Sequence, residues 1–214
     1  MPENSTINNR MRTRKGFWNF VIVSTRIFLG YIFFSAGMAK LLHGQFPGVM
    51  GPVWLEERLA EYGLGLFARF IAYSQVVVGL LVLSQRFATV GAIMLFPMIV
   101  TTLMVTISLE WVGTPYVLGF FLLLNAILLI ADYHKLKFLL TDKPELLKSI
   151  PLERKSLQSD LIWGIGILLI VSSIFMFDVN KTVTYGMVIA GFLAFIGSWL
   201  AGRMNKNAMN TEQA

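Results

Sequence analysis

The sequence predicts an all-α integral membrane protein with six transmembrane helices, a four-helix bundle plus two additional C-terminal spans, with both termini cytoplasmic. Three observations carry that expectation. The 214 residues are 56% hydrophobic and only 14% charged, with a mean hydropathy of +0.66, too apolar for a water-soluble domain. Apolar runs recur near residues 17–39, 64–84, 87–109, 115–131, 160–177 and 182–201, lengths that suit a hydrocarbon layer of roughly 30 Å. Lys and Arg crowd alternate connections: Arg10, Arg12, Arg14 and Lys15 before the first run, Arg86 after the second, Lys135 to Lys155 after the fourth, Arg203 and Lys206 after the last. The other loops hold only Lys40, Arg58 and Lys181, so the crowded side reads as cytoplasmic.

The basic tail 1–16 imitates the start of a signal peptide. The apolar segment behind it is too long, and no small-residue cleavage site follows, so a retained first helix is expected. Arg26 lies near the middle of that segment, which covers roughly 34 Å as a helix. A charge at such depth costs roughly 2.5 to 3.5 kcal/mol and must be compensated. A polar partner on another helix, a water-filled cavity, or a bound anionic or quinone-like ligand would each do so. Helix glue and functional site are the two readings of Arg26.

After the first span, the outer loop from His43 to Gly63 carries Gly44, Pro47, Gly48, Gly51 and Pro52. Its segment Trp54 to Glu61 fits a short amphipathic helix at the interface, either capping a cavity or simply connecting spans. In the first span Arg26, Gly30, Gly37 and Lys40 form one stripe; in the second, Ala68, Ala72, Gln75 and Gly79 form another. These two small and polar seams are expected to face each other. Pro97 removes a backbone bond in the third span, kinking it and freeing the carbonyl near Ile93, beside Thr101 and Thr102. Thr114-Pro115 reads as an N-cap and first turn for the fourth span, which buries Asn125.

The loop 135–159 mixes charge signs around Pro144 and Pro151 and reads as a solvated linker rather than a docking site. Ser159-Asp160 is a candidate cap for the fifth span. In the sixth, Gly186, Ala190, Ala194 and Ser198 make a small-residue stripe, suited to packing on the fifth span or to a homo-oligomer contact. Polar residues thus divide the chain into a basic tail 1–16, a polar four-helix core 17–134, the loop 135–159, an apolar hairpin 160–203 and a tail 204–214.

The composition also excludes several chemistries. No cysteine is present, which removes disulfides, thiol catalysis and iron–sulfur ligation. His43 and His134 fall at helix ends on opposite sides of the membrane, so an intrinsic bis-His haem is not expected. His43 with Glu56, Glu57 and Glu61 shows no recognised metal-ligand spacing, so no metal site is assigned. The net charge of +6 belongs to topology signals, not to nucleic-acid binding. Asp132-Tyr133-His134 reads as an interfacial anchor, and Trp18, Trp54, Trp111 and Trp163 as an aromatic belt.

The run Arg26-Ile-Phe-Leu-Gly30-Tyr-Ile-Phe-Phe-Ser-Ala36-Gly37-Met-Ala-Lys40, followed by Ala68 to Gln75, Gly79 to Leu83 and Arg86, resembles the DoxX family of small membrane proteins. The resemblance covers about residues 17–140 and implies a DoxX-like four-helix bundle, named for the membrane subunit of a thiosulfate:quinone oxidoreductase. It further implies an anchor or subunit of a redox or stress-related complex in a bacterial inner membrane, with a redox partner protein and quinone as the cofactor to consider. In the family pattern a glutamate commonly stands at the position of Gln75, where it would pair with the arginine matching Arg26. A neutral Gln75 accepts a hydrogen bond from Arg26 without neutralising it. The last two spans lie outside the four-helix pattern.

Three functions follow. The favoured one is a non-catalytic membrane subunit binding quinone, lipid or a partner around Arg26, Lys40, Gln75, Asn125 and Thr101, with no catalytic residue assigned. The second is a quinone-linked oxidoreductase subunit acting on a sulfur compound. The third is a small transporter or channel for a polar or anionic solute, although no internal repeat is evident.

Overall fold

The computed structural model describes residues 3–48, 54–137 and 157–212, with side chains described over 16–48, 54–137 and 157–202. Eight helices form among the described residues: α1 (Glu3–Leu41), α2 (Leu55–Ala60), α3 (Gly65–Leu83), α4 (Ala88–Ser108), α5 (Thr114–Ala131), α6 (Tyr133–Leu136), α7 (Leu157–Met176) and α8 (Lys181–Glu212). Six contain stretches long and apolar enough to cross a membrane: 16–41, 65–83, 88–108, 114–131, 157–176 and 181–202. These agree with the expected spans to within three residues. Most of the linker 135–159 lies outside the described residues.

The chain separates into two compact units, one of residues 1–40 and 46–142 and the other of residues 41–45 and 143–214. In the first, α1, α3, α4 and α5 bury Leu29, Phe33, Val82, Leu95, Ile99 and Leu128 between them. Their outer faces are also apolar: Leu66 is 83% exposed and Ile130 73%. Apolar side chains facing outward from every helix suit lipid, because in water such surface would drive association.

The two seams do meet. A Cβ placed on Gly79 would lie 2.5 Å from the Phe34 nitrogen and 2.9 Å from the Gly30 carbonyl oxygen. One placed on Gly37 would lie 2.7 Å from the Ala72 carbonyl oxygen. Backbone touches backbone here, which only small residues permit. The pairing fixes an antiparallel register in which Gly30 sits beside Leu83, the last residue of α3, and Gly37 beside Ala72 and Val76.

Local signals explain the helix ends. Both α3 and α4 stop where a residue turns left-handed, at Gln85 (φ 57°) and Glu110 (φ 53°). The Gln85 side chain donates to the Val82 carbonyl, 3.1 Å away, occupying one of the free acceptors of that terminus. The N-cap of α5 is Gly113 at φ 93°, placing Thr114 inside the helix, one residue on from the expected cap. Pro97 lies within α4, and Thr101 and Thr102 donate back to the carbonyls of Pro97 and Met98 at 2.8 and 2.9 Å.

In the second unit, α7 and α8 pair as a hairpin. Gly166 and Gly191 approach so closely that a Cβ on Gly166 would lie 2.9 Å from the Gly191 carbonyl oxygen. Ser159 and Ser198 clasp reciprocally, each hydroxyl donating to the other's carbonyl at 2.7 and 2.8 Å. Ser159 therefore serves helix pairing rather than capping, since α7 begins two residues earlier, at Leu157. The buried face of α8 runs through Thr184, Val188, Gly191 and Ser198. Gly186 and Ala190 of the expected stripe are exposed, Ala194 is half-buried, and Ser198 bonds to Ser159 of α7.

Candidate functional site

The polar residues singled out in the sequence separate into three places within the first unit. Arg26 lies one turn before Gly30, and Gly30 already sits beside the last residue of α3. Its guanidinium Nη2 donates to Asp132 Oδ2 at 2.5 Å. Asp132 directly follows α5, and Thr89, the second residue of α4, donates to the same oxygen at 2.9 Å. Lys135 Nζ approaches Asp132 Oδ1 at 3.3 Å. Arg26 is thus level with the ends of three helices, while the apolar run from Phe17 continues beyond them. Phe17 and Phe20, on that extension, are about two-thirds exposed.

Arg26 and Asp132 form a nearly buried ion pair, 13% and 8% exposed at their side chains. Burial pushes the Asp132 carboxyl upward, but the Arg26 charge, the Thr89 hydroxyl and Lys135 together outweigh it and hold the group below its ordinary value of 3.8. Every oxygen of this carboxylate is engaged, so the cluster works as a latch joining α1, α4 and α5. Asp132 is the partner that reading the spans alone overlooked. Its signal was available: between Arg86 and Asp142 it is the one acid on the basic side of the core.

Lys40 lies fourteen residues further along α1, about 21 Å away along the axis. Its ammonium donates to Gln75 Oε1 at 2.8 Å, so Gln75 pairs with Lys40 and not with Arg26. Both line a cavity of about 50 Å³ bounded by α1, α2, α3, α4 and α5. Ile32, Phe33, Leu55, Leu118 and Phe121 make its wall apolar, and Thr102, Thr106, Trp111 and Thr114 complete it. On the scale where one water occupies about 10–15 Å³, the space holds a few waters or a short apolar chain.

The amphipathic segment forms part of this cavity. Leu55 of α2 is buried and lines it, while the neighbouring Trp54 ring packs on Trp111, another lining residue, with centroids 5.2 Å apart. Arg69 of α3 holds Glu56 of α2 at 2.5 Å. The short helix is therefore a cap held by an ion pair, an aromatic contact and the packing of Leu55 and Leu59 against Ala68, Val105 and Leu109.

Asn125 and Thr101 belong to neither place. Asn125 is fully buried and its Nδ2 donates to the Ala92 carbonyl at 3.1 Å, one residue from the carbonyl that Pro97 leaves without its helical donor. Thr101 is exposed and serves its own helix. Of the five expected binding residues, the structure brings Lys40 and Gln75 together and sets Arg26, Asn125 and Thr101 apart from them.

No protein-family model matches the chain, and no solved structure does. The chain is similar to the uncharacterised protein YwoB of Bacillus subtilis (strain 168), 25% identical over 148 residues that cover 64% of this chain and 94% of that protein. Sequence patterning and structure together make the chain a multi-pass helical membrane protein in contact with the lipid bilayer.

Proposed function

We propose that this chain is a non-catalytic membrane subunit that seats one end of an amphipathic molecule, a quinone or a lipid, in the Lys40 cavity. The observation that carries the reading is the meeting of Lys40 and Gln75 in an otherwise apolar cavity. An intramembrane cation without a counter-charge is expensive, and such a group marks a site by default. Arg26, by contrast, has its charge balanced within the fold by the Asp132 carboxylate. The DoxX resemblance adds a setting: an anchor or subunit of a redox or stress-related complex in a bacterial inner membrane, with both termini on the cytoplasmic side.

The test is mass spectrometry of the protein purified in native-lipid nanodiscs, comparing wild type with Ala36→Leu. Ala36 is buried in the cavity wall, and leucine there fills the space. A quinone or lipid retained by wild type and lost from the folded variant supports the proposal. The same companions in both, or none in either, refutes it.

A further inference from the structure

We infer that the cavity selects a carboxylate, so that its ligand is a medium-chain amphiphilic monoanion seated head-first on Lys40. The inference rests on the cavity reading above and goes beyond it in fixing the charge of the head group. Its basis is a count of donors and charges at this end of the bundle.

Lys40 carries three N–H donors, and among the described residues its polar partner is the neutral Gln75 Oε1. Among the described residues, no acid lines the cavity. The acids on nearby elements are engaged elsewhere or exposed: Glu56 with Arg69, Glu61 with Arg58 at 3.3 Å, and Glu57 and Glu110 on the surface. The hydroxyls of Thr102 and Thr106 donate to backbone carbonyls of their own helix, at Met98 and Leu103. They have no proton left for a ligand. What the cavity presents is therefore a cation with unused donors, with the Gln75 amide N–H groups, the Thr114 hydroxyl and the Trp111 indole N–H as further donors in the wall. A head that only accepts and is negatively charged completes this site; a neutral carbonyl accepts but leaves the charge uncompensated. The apolar wall of Ile32, Phe33, Leu118 and Phe121 then receives the chain, and the limited volume favours a short one.

The experiment measures saturable binding of radiolabelled octanoate and octan-1-ol to the protein in nanodiscs, with empty nanodiscs subtracted, for wild type, Lys40→Met, Lys40→Gln and Ala36→Leu. Wild type is expected to bind octanoate at least about tenfold more tightly than the alcohol. Both Lys40 variants should lose that preference while still binding the alcohol, which also reports that they are folded. Equal affinity of wild type for acid and alcohol, or full octanoate affinity in the Lys40 variants, overturns the carboxylate inference and leaves the cavity reading standing. Absence of saturable binding of either compound to wild type overturns both.

Discussion

Removing the charge of Asp132 should damage this protein more than removing its partner Arg26. In Asp132→Asn the side chain keeps its shape, but the guanidinium of Arg26, 13% exposed and already lacking a partner at its buried Nε, loses its anionic acceptor. In Arg26→Leu the carboxylate still accepts from Thr89 at 2.9 Å and from the exposed Lys135 at 3.3 Å. Breaking a buried pair by deleting one partner costs about 3–5 kcal/mol. The position of this pair at the helix ends, with the exposed Lys135 3.3 Å from the carboxylate, lowers that for Asp132→Asn to about 2–4 kcal/mol, and for Arg26→Leu to about 1–2 kcal/mol. For a chain of this size each kcal/mol moves the midpoint by about 2–4 °C, so the two variants should melt roughly 4–16 °C and 2–8 °C below wild type. Thermal unfolding in nanodiscs followed by size-exclusion fluorescence reads the order directly. Because the Asp132 carboxyl is held below its ordinary 3.8, its stabilisation is present above that pH and fades as the pH falls through the depressed value. The gap between wild type and Asp132→Asn should therefore close in acid. Equal midpoints at neutral pH, or a larger loss in Arg26→Leu, would refute the latch.

Other substitutions test the packing and the cavity. Gly79→Ala puts a methyl 2.5 Å from the Phe34 backbone nitrogen and should separate α1 from α3, giving a large loss of midpoint, whereas Gly119→Ala, with nothing within 4 Å, should match or exceed wild type. Ser159→Ala removes one of the two bonds of the clasp with Ser198 and should cost about 0.6–1.7 kcal/mol by the same melting assay. Lys40→Met should leave the ligand-free midpoint unchanged or raised, because an apolar chain replaces a charge whose polar partner is a neutral amide. A pronounced loss there would make Lys40 structural.

The sequence made the helices and one interface readable, for identifiable reasons. Helical spacing put Gly30 and Gly37 on one stripe and Ala72 and Gly79 on another, and residues without side-chain bulk have few other ways to be buried, so their meeting was legible. The partner of Arg26 was not. Its apolar run continues into a 39-residue helix, and hydropathy places the window of a long helix only loosely. Its partner is set by where α4 begins and α5 ends, information held in other parts of the chain. The pairing of Gln75 with Lys40 followed from that register, since it brings Gln75 beside the Lys40 half of the seam. In α8 the spacing of four picked out Gly186 and Ala190, while the buried face follows Thr184, Val188, Gly191 and Ser198, spaced four, three and seven apart, as helix pairs require. Asp132 was missed because it stands just beyond its span, where an acid reads as a helix end rather than as a partner for a distant arginine.

On the proposed function, Lys40 marks the ligand site while Arg26 fastens helices. The most direct measurement is mass spectrometry of small molecules that accompany wild type, Lys40→Met and Arg26→Leu in native-lipid nanodiscs. The account expects an amphipathic companion in wild type and in folded Arg26→Leu, and its loss from Lys40→Met. A companion kept by Lys40→Met and lost from Arg26→Leu would contradict it.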